Sequence, residues 1–131
     1  MTSFNIQTKS RDHMTDITGE VRKSVSDTGI KDGLCVVFTP HTTAAVTINE
    51  NADPDVQSDM IQGLNGLAFE KMKFDHCEGN SPAHIKSSLV GCSETVIISN
   101  GELVLGTWQG IYLCEFDGPR RRTVYVQAVG K

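Results

Sequence analysis

Three histidines stand where the pattern of the chain changes. The stretch His76-Cys77-Glu78-Gly79-Asn80-Ser81-Pro82-Ala83-His84 sets two imidazoles, a carboxylate and an amide on either side of a helix-start signal. His41 follows Pro40 at the end of an apolar run. Imidazole suits proton transfer and metal ligation near neutral pH. Eight residues of continuous helix rise about 12 Å, too far for neighbouring ligands of one ion. If His76 and His84 share a site, His76 must lie on the loop and fold back over the helix start. Ser81-Pro82 permits this. With Ser81 as N-cap and Pro82 as N1, His84 stands at N3, in a first turn whose free N–H groups favour anions. The plain alternative, one surface and one loop histidine, stays open at this point.

Other polar groups surround these. His41-Thr42-Thr43 places two hydroxyls after an imidazole, able to hold a phosphate or a water, although threonines also simply suit strands. Glu50 and Asn51 with Asp53 and Asp55 make an acidic cluster at a helix start. Capping and macrodipole complementarity explain Asp53 and Asp55; Glu50 is less explained, and a hard cation such as magnesium would take these oxygens. Gly106-Thr107-Trp108-Gln109-Gly110 precedes a buried strand, where glycine allows close approach of a ligand or a backbone. Arg120-Arg121-Arg122 alternates faces if extended, so at most two arginines share a target, and their forks match phosphate.

The elements that must position these groups follow from periodicity. Phe4 to Thr8 alternates and reads as a strand. Ile17, Val21 and Val25 recur at helical spacing between Thr15 and Thr28, with Gly29 as the stop. Leu34–Thr39 and Ala44–Asn49 are strands. Asp53-Pro54-Asp55 opens a second helix with Val56, Met60 and Leu64 as its stripe, ended at Asn65-Gly66. Residues 66–80 have no clear period, and loops of this length are often functional. A third helix runs from Ser81-Pro82 to Gly91. Thr95–Ser99 and Glu102–Gly106 pair through the type I′ signal Asn100-Gly101. Trp108–Phe116 is a long strand, Asp117-Gly118-Pro119 turns, and Arg122–Val129 is the last strand. In the long strand Trp108, Tyr112, Cys114 and Phe116 share one face, Ile111 and Leu113 the other. Neither face is polar, which points to helices on one side and a second sheet or another subunit beyond.

The expected fold is a single α+β domain over residues 1–131, a small β-sandwich of mostly antiparallel strands with two or three helices. Its 131 residues suffice for a core without disulfides. The net charge of −4 argues against a nucleic-acid partner. Cys35, Cys77, Cys92 and Cys114 form no CxxC pair, and buried free thiols are expected. Met1-Thr2-Ser3-Phe4-Asn5 has no signal-peptide apolar region, and no apolar run approaches the roughly 20 residues of a membrane span, so the cytoplasm is the expected compartment, without membrane contact.

Phe38 to Asn51, His76 with Asn80 to Gly91, and Gly106-Thr107-Trp108-Gln109-Gly110-Ile111 together resemble the YjbQ family of small bacterial and archaeal proteins. The resemblance spans nearly the whole chain. It implies an α+β sandwich assembled as a homotrimer about a threefold axis, and an activity described as secondary thiamine-phosphate synthase. That reaction joins a pyrimidine diphosphate to a thiazole phosphate and releases pyrophosphate. The resemblance implies a polar pocket holding His41, His76 and His84, with Glu50, Asn51, Asp53, Lys86, Ser87, Thr107, Gln109 and Arg121 as further recurrent polar positions. On this reading His41, Glu50, His76 and His84 are catalytic. Thr42, Thr43, Asn51, Lys86, Ser87, Thr107, Gln109 and Arg121 bind a phosphorylated substrate.

Two other functions fit the same residues. His41, His76 and His84 could ligate a catalytic zinc with Glu50 as general base, a metal-dependent hydrolase; a divalent cofactor, zinc or magnesium, is expected on either enzymatic reading. A non-catalytic phosphate-binding trimer is the third.

Overall fold

Strict alternation builds the larger of two sheets. In the strand Gly33–Phe38 (β3), Cys35 and Val37 are buried while Leu34, Val36 and Phe38 face outward. The strands Thr2–Gln7 (β1), Ser93–Ser99 (β5) and Arg121–Gly130 (β8) alternate likewise. With the short Glu102–Leu103 (β6) they form a five-stranded antiparallel sheet of order β1-β8-β3-β5-β6. A second, three-stranded sheet has the order β2-β7-β4, from His13–Asp16 (β2), Gln109–Glu115 (β7) and Ala44–Glu50 (β4). This computed structural model describes residues 1–67 and 69–131.

The inner faces of the two sheets meet in one core. Cys35, Val37, Val96, Ile98, Val124 and Val126 of the larger sheet pack against Val46, Ile111 and Leu113 of the smaller. The helix Thr18–Ser26 (α1) adds Val21 and Val25 to this layer. Its start is fixed by Asp16 Oδ1, which accepts from the Thr18 N–H (2.9 Å) and hydroxyl (2.6 Å). Its end is marked by Gly29, whose φ of 71° suits only glycine readily. On the other face of the smaller sheet, Met14, Ala45, Tyr112, Cys114 and Phe116 form a second cluster. The helices Pro54–Asn65 (α2) and Ser81–Val90 (α3) cover it. The two-sided apolar character of β7 thus has one sheet and one helical layer to satisfy it.

Most expected elements are found; five details differ. Residues 13–16 are a strand paired with β7, because Met14 is needed in the cluster beneath the helices, and α1 begins only at Thr18. The return strand after Asn100-Gly101 is two residues long. That turn has positive φ at both positions (53° and 80°), as type I′ demands. Trp108 precedes β7 and is 60% exposed. Val56, Met60 and Leu64 face the core side of α2, but none is fully buried. Cys35 and Cys114 are buried free thiols as expected, whereas Cys77 and Cys92 are exposed.

Candidate functional site

The loop between β3 and β4 carries His41, and its position follows from unfinished hydrogen bonding. The β3–β8 ladder ends at the Phe38–Tyr125 pair, leaving the Thr123 peptide without a strand partner on that side. Two side chains replace the strand. The Thr39 hydroxyl donates to the Thr123 carbonyl (3.1 Å), and the Thr123 N–H donates to His41 Nε2 (2.9 Å). Buried backbone groups must find partners, so this bond fixes the ring. A nitrogen that accepts carries no proton; neutral His41 is therefore assigned the tautomer with hydrogen on Nδ1. Burial lowers the His41 pKa, and Arg122 and Arg120 lower it further against the opposing pull of Glu115. The net effect favours the neutral ring.

His76 reaches the same place by a turn. The Gly79 N–H donates to the His76 carbonyl (3.2 Å), and Gly79 adopts φ of 73°. The loop thereby folds back over the start of α3, as the separation of the two histidines requires. The His76 and His84 rings meet edge to face, with centroids 5.3 Å apart. The helix begins one residue earlier than expected. Asn80 is its N-cap, without a side-chain cap bond, and Ser81 and Pro82 are its first two residues, so His84 is the fourth. Asn80 instead donates through Nδ2 to Asp117 (2.8 Å). Ser87, one turn after His84, ties α3 to β4 by donating to the Ala44 carbonyl (2.6 Å).

His41, His76 and His84 line one cavity of about 370 Å3, together with Thr42, Thr43, Glu78, Asn80, Asp117, Arg120 and Arg122. Beneath it lies an ion pair. Glu115 is fully buried and Arg122 is 3% exposed. Arg122 donates from Nε to Glu115 Oε1 (2.8 Å) and from Nη2 to Oε2 and to the Thr43 hydroxyl (2.8 Å). The Thr8 hydroxyl (2.7 Å) and the Asp117 N–H (3.0 Å) complete the carboxylate's shell. Burial alone would raise the Glu115 pKa; the bonds from Arg122, Thr8 and Asp117 outweigh it and the net shift is downward. Gly118 closes this corner, since a Cβ there would stand 2.4 Å from the Ser10 carbonyl oxygen and 2.7 Å from Glu115 Cγ. Arg120 is half-exposed and shares Asp117 with Asn80, donating to it at 2.8 Å.

The other expected site residues lie elsewhere. Arg121 faces outward; the alternation of the arginine run gives the cavity Arg120 and Arg122 instead. Lys86 is 2% exposed and donates to Asn65 (2.7 Å) and Asp12 (3.1 Å), over the Phe116 ring. Lys86 and Ser87 thus anchor α3. Glu50 pairs with Gln109 at the opposite end of β4 from Ala44. Six residues of strand put Glu50 about 20 Å from the His41 end. Asn51, Thr107 and Gln109 are at that far end too. The Asn51 N–H donates to the Trp108 carbonyl (2.8 Å), and Gln109 accepts from the Gly106 N–H (2.8 Å). Asp53 caps α2 by accepting from the Asp55 N–H (2.9 Å), as expected. Glu115 was not singled out from the sequence, and Arg122 only as one fork of the arginine run. A glutamate inside the apolar run Ile111–Phe116, seven residues before an arginine across a turn, was the signal available.

Among the described residues no group of three His, Cys, Asp or Glu side chains is arranged to hold a metal ion. No helix among them is long and apolar enough to cross a membrane. The cavity brings groups of both signs together: the three histidines, Arg120 and Arg122 with the carboxylates of Glu78 and Asp117, beside Thr42 and Thr43.

Comparison with known proteins agrees with this architecture throughout. The family model described as UPF0047 protein YjbQ-like matches residues 2–131. The UPF0047 protein MJ1081 of Methanocaldococcus jannaschii is 54% identical over 127 residues, covering 97% of this chain and 92% of that protein. The UPF0047 protein YugU of Bacillus subtilis is 53% identical over 129 residues, covering 98% of each. Among solved structures, an uncharacterized conserved YjbQ/UPF0047 protein of Clostridium acetobutylicum superposes with a TM-score of 0.96 at 51% identity, covering 98% of this chain and 100% of that one. A protein of unknown function from Sulfolobus solfataricus gives 0.95 at 31% identity, covering 99% and 96%. The chain belongs to the YjbQ-like UPF0047 family.

Proposed function

We propose that the chain binds a phosphate-bearing small molecule in the cavity of His41, His76 and His84 and moves protons on it. The observation that carries this reading is the Thr123 N–H bond to His41 Nε2, which leaves the neutral ring its Nδ1–H as a donor, in a residue that lines a cavity with Thr42, Arg120 and Arg122. His41 would donate to a phosphate oxygen in concert with Thr42 and Arg120. His76 and His84, in edge-to-face contact on the cavity wall, would accept a proton from the attacking group or return one to the leaving group.

Thiamine-phosphate synthesis is one transfer this site could serve: the departing pyrophosphate would take the donors of His41 and Arg120. The family resemblance supports that choice of substrates. A zinc centre at the same histidines has less support, because His41 Nε2 is already an acceptor and its Nδ1 carries the proton. Magnesium held by Glu50 or Asp53 would sit at the far end of β4, away from the histidines.

Titration calorimetry with phosphate and pyrophosphate tests the anion site, and pyrophosphate release from the two thiamine precursors tests the synthase. Binding that survives His41→Ala unchanged would overturn the first.

A homotrimer belongs to the same reading. The outer face of the larger sheet exposes Leu34, Val36, Phe38, Ile97 and Val129, an apolar surface that water covers poorly. Light scattering should give three times the 14.3 kDa of one chain, falling toward one chain when Val36 and Ile97 are replaced by lysine and glutamate.

A further inference from the structure

We infer that the ligand of the histidine cavity carries its own positive charge: a phosphate monoester with an aliphatic ammonium group, the phosphate at His41, Thr42 and Arg120 and the ammonium at Glu78 and Asp117. This rests on the reading of the cavity as an anion site and narrows it. The first support is the balance of fixed charge. Arg122 is paired with the fully buried Glu115. Arg120 donates from Nη2 to the Asp117 carboxylate (2.8 Å) and from Nε to the Asp117 carbonyl (2.8 Å). Each arginine therefore already has its carboxylate. Glu78 remains: it lines the cavity, is exposed, and bonds no described residue. With the imidazoles neutral, Arg120 and Arg122 stand against three carboxylates, Glu78, Glu115 and Asp117.

A phosphate alone brings more negative charge to such a wall, and an ammonium on the same molecule offsets it. Hydrogen bonding points the same way. Asp117 Oδ2 accepts from both Asn80 and Arg120, while Asp117 Oδ1 and the Glu78 carboxylate accept from no described residue. Asn80, which also lines the cavity, has a buried amide oxygen without a partner. These residues hold acceptors that no described donor fills, and an ammonium supplies several N–H groups and no acceptor. A space of about 370 Å3 admits both ends of a short aminoalkyl phosphate. Glu78 would then be a specificity-determining residue, selecting the amine without taking part in holding the phosphate.

The test compares ethyl phosphate with 2-aminoethyl phosphate by titration calorimetry on the full chain and on Glu78→Gln. The buffer is held at about pH 8, above the ordinary imidazole range and below that of an alkylammonium. The amine should bind the unaltered chain about fivefold tighter than ethyl phosphate, the factor that an ion pair at a partly exposed site supplies. Glu78→Gln should reduce that preference to about twofold or less, without weakening ethyl phosphate. Because Glu78 bonds no described residue, the variant should fold, and its unliganded melting temperature checks this. Equal affinity of the two esters in the unaltered chain overturns the ammonium subsite alone and leaves the anion site standing. A preference that survives intact in a folded Glu78→Gln overturns the assignment to Glu78. A fivefold gain for ethyl phosphate on adding magnesium, with no preference for the amine in its absence, also overturns the subsite, giving the carboxylates to a metal-bound phosphate. Failure of both esters and of inorganic phosphate to bind overturns the subsite together with the anion site.

Discussion

Breaking the Glu115–Arg122 pair should cost far more than its surface neighbours suggest, and should move His41 at the same time. Glu115 is fully buried and Arg122 nearly so. Removing one member of such a pair leaves an uncompensated buried charge and costs about 3–5 kcal/mol. That is a large share of the roughly 5–15 kcal/mol by which domains are stable. In Arg122→Met the Glu115 carboxylate keeps its bonds from Thr8 and the Asp117 N–H, so the loss should fall near the lower end, about 3 kcal/mol. Glu115→Leu strands a guanidinium whose remaining partners are the hydroxyl and carbonyl of Thr43, and should cost at least as much. The double variant removes both charges. It should be more stable than the sum of the two losses predicts, by about 2 kcal/mol. Urea unfolding of the four proteins gives that coupling.

A second readout separates charge from packing. Arg122 lowers the His41 pKa and Glu115 raises it. Arg122→Met should therefore raise the His41 titration midpoint followed by NMR, and Glu115→Leu should lower it. Additive stabilities within about 0.5 kcal/mol, or His41 midpoints that shift in the same direction, would refute the electrostatic account. The acid limb follows from the same pair. Because the folded Glu115 pKa is depressed, its contribution is present above the ordinary carboxylate range and lost as pH falls through the depressed value. The His41 contribution has the same sign but begins higher, below about pH 6.5, since its pKa too is lowered on folding. Glu115→Gln should flatten the lower part of the limb and leave the upper part to His41.

Three further outcomes are expected. His41→Phe leaves the Thr123 N–H without an acceptor, costing about 1–3 kcal/mol by denaturant unfolding, and should weaken phosphate binding at least tenfold by calorimetry. Lys86→Met should lose about 2 kcal/mol, less than a fully buried pair because Arg11 also bonds Asp12 (2.8 Å), while phosphate affinity stays within about twofold; a tenfold loss of affinity would bring Lys86 into the site. Gly118→Ala pushes a methyl against the Ser10 carbonyl and should destabilise by about 1–3 kcal/mol in a thermal melt, with no change meaning that the turn yields freely.

How far the residues alone reach depends on what kind of information each feature needs. Strands such as Leu34–Thr39 and the type I′ turn at Asn100-Gly101 are local: alternation and positive φ are written in neighbouring residues. The folding-back of His76 was legible only as a condition: helix rise requires it if His76 and His84 share a site, and two separate surface histidines fitted the spacing as well. What failed was information carried by pairing. Thr15 and Asp16 read as the start of a helical stretch, yet residues 13–16 form a strand because β7 offers them a ladder. The arginine run shows the limit most sharply. Alternation allowed one or two of the three to share a target, but which parity faces inward is set by Glu115 on the neighbouring element. A carboxylate within Ile111–Phe116 cannot remain unpaired there, so the glutamate, once recognised as buried, selects Arg122 and with it Arg120.

The distribution of polar residues along β4 and β7 carries the same lesson into function. Ala44 lies opposite Glu115 and Glu50 opposite Gln109, so one ladder separates two polar ends by its full length. At the Gln109 end the bonds fasten backbone: the Asn51 N–H and the Gln109 side chain bond the loop between β6 and β7, and the Glu50 carbonyl accepts from the Tyr112 hydroxyl (3.0 Å). At the Glu115 end the partners are used differently. Thr123 takes one nitrogen of His41, Glu115 takes Arg122, and Asp117 takes Asn80 and Arg120, so each of these cavity-lining side chains is held in place by a bond. Preorganisation of that kind is what transition-state stabilisation requires. It is the physical reason to seek chemistry first at the histidines, a full strand's length from Glu50 and Gln109.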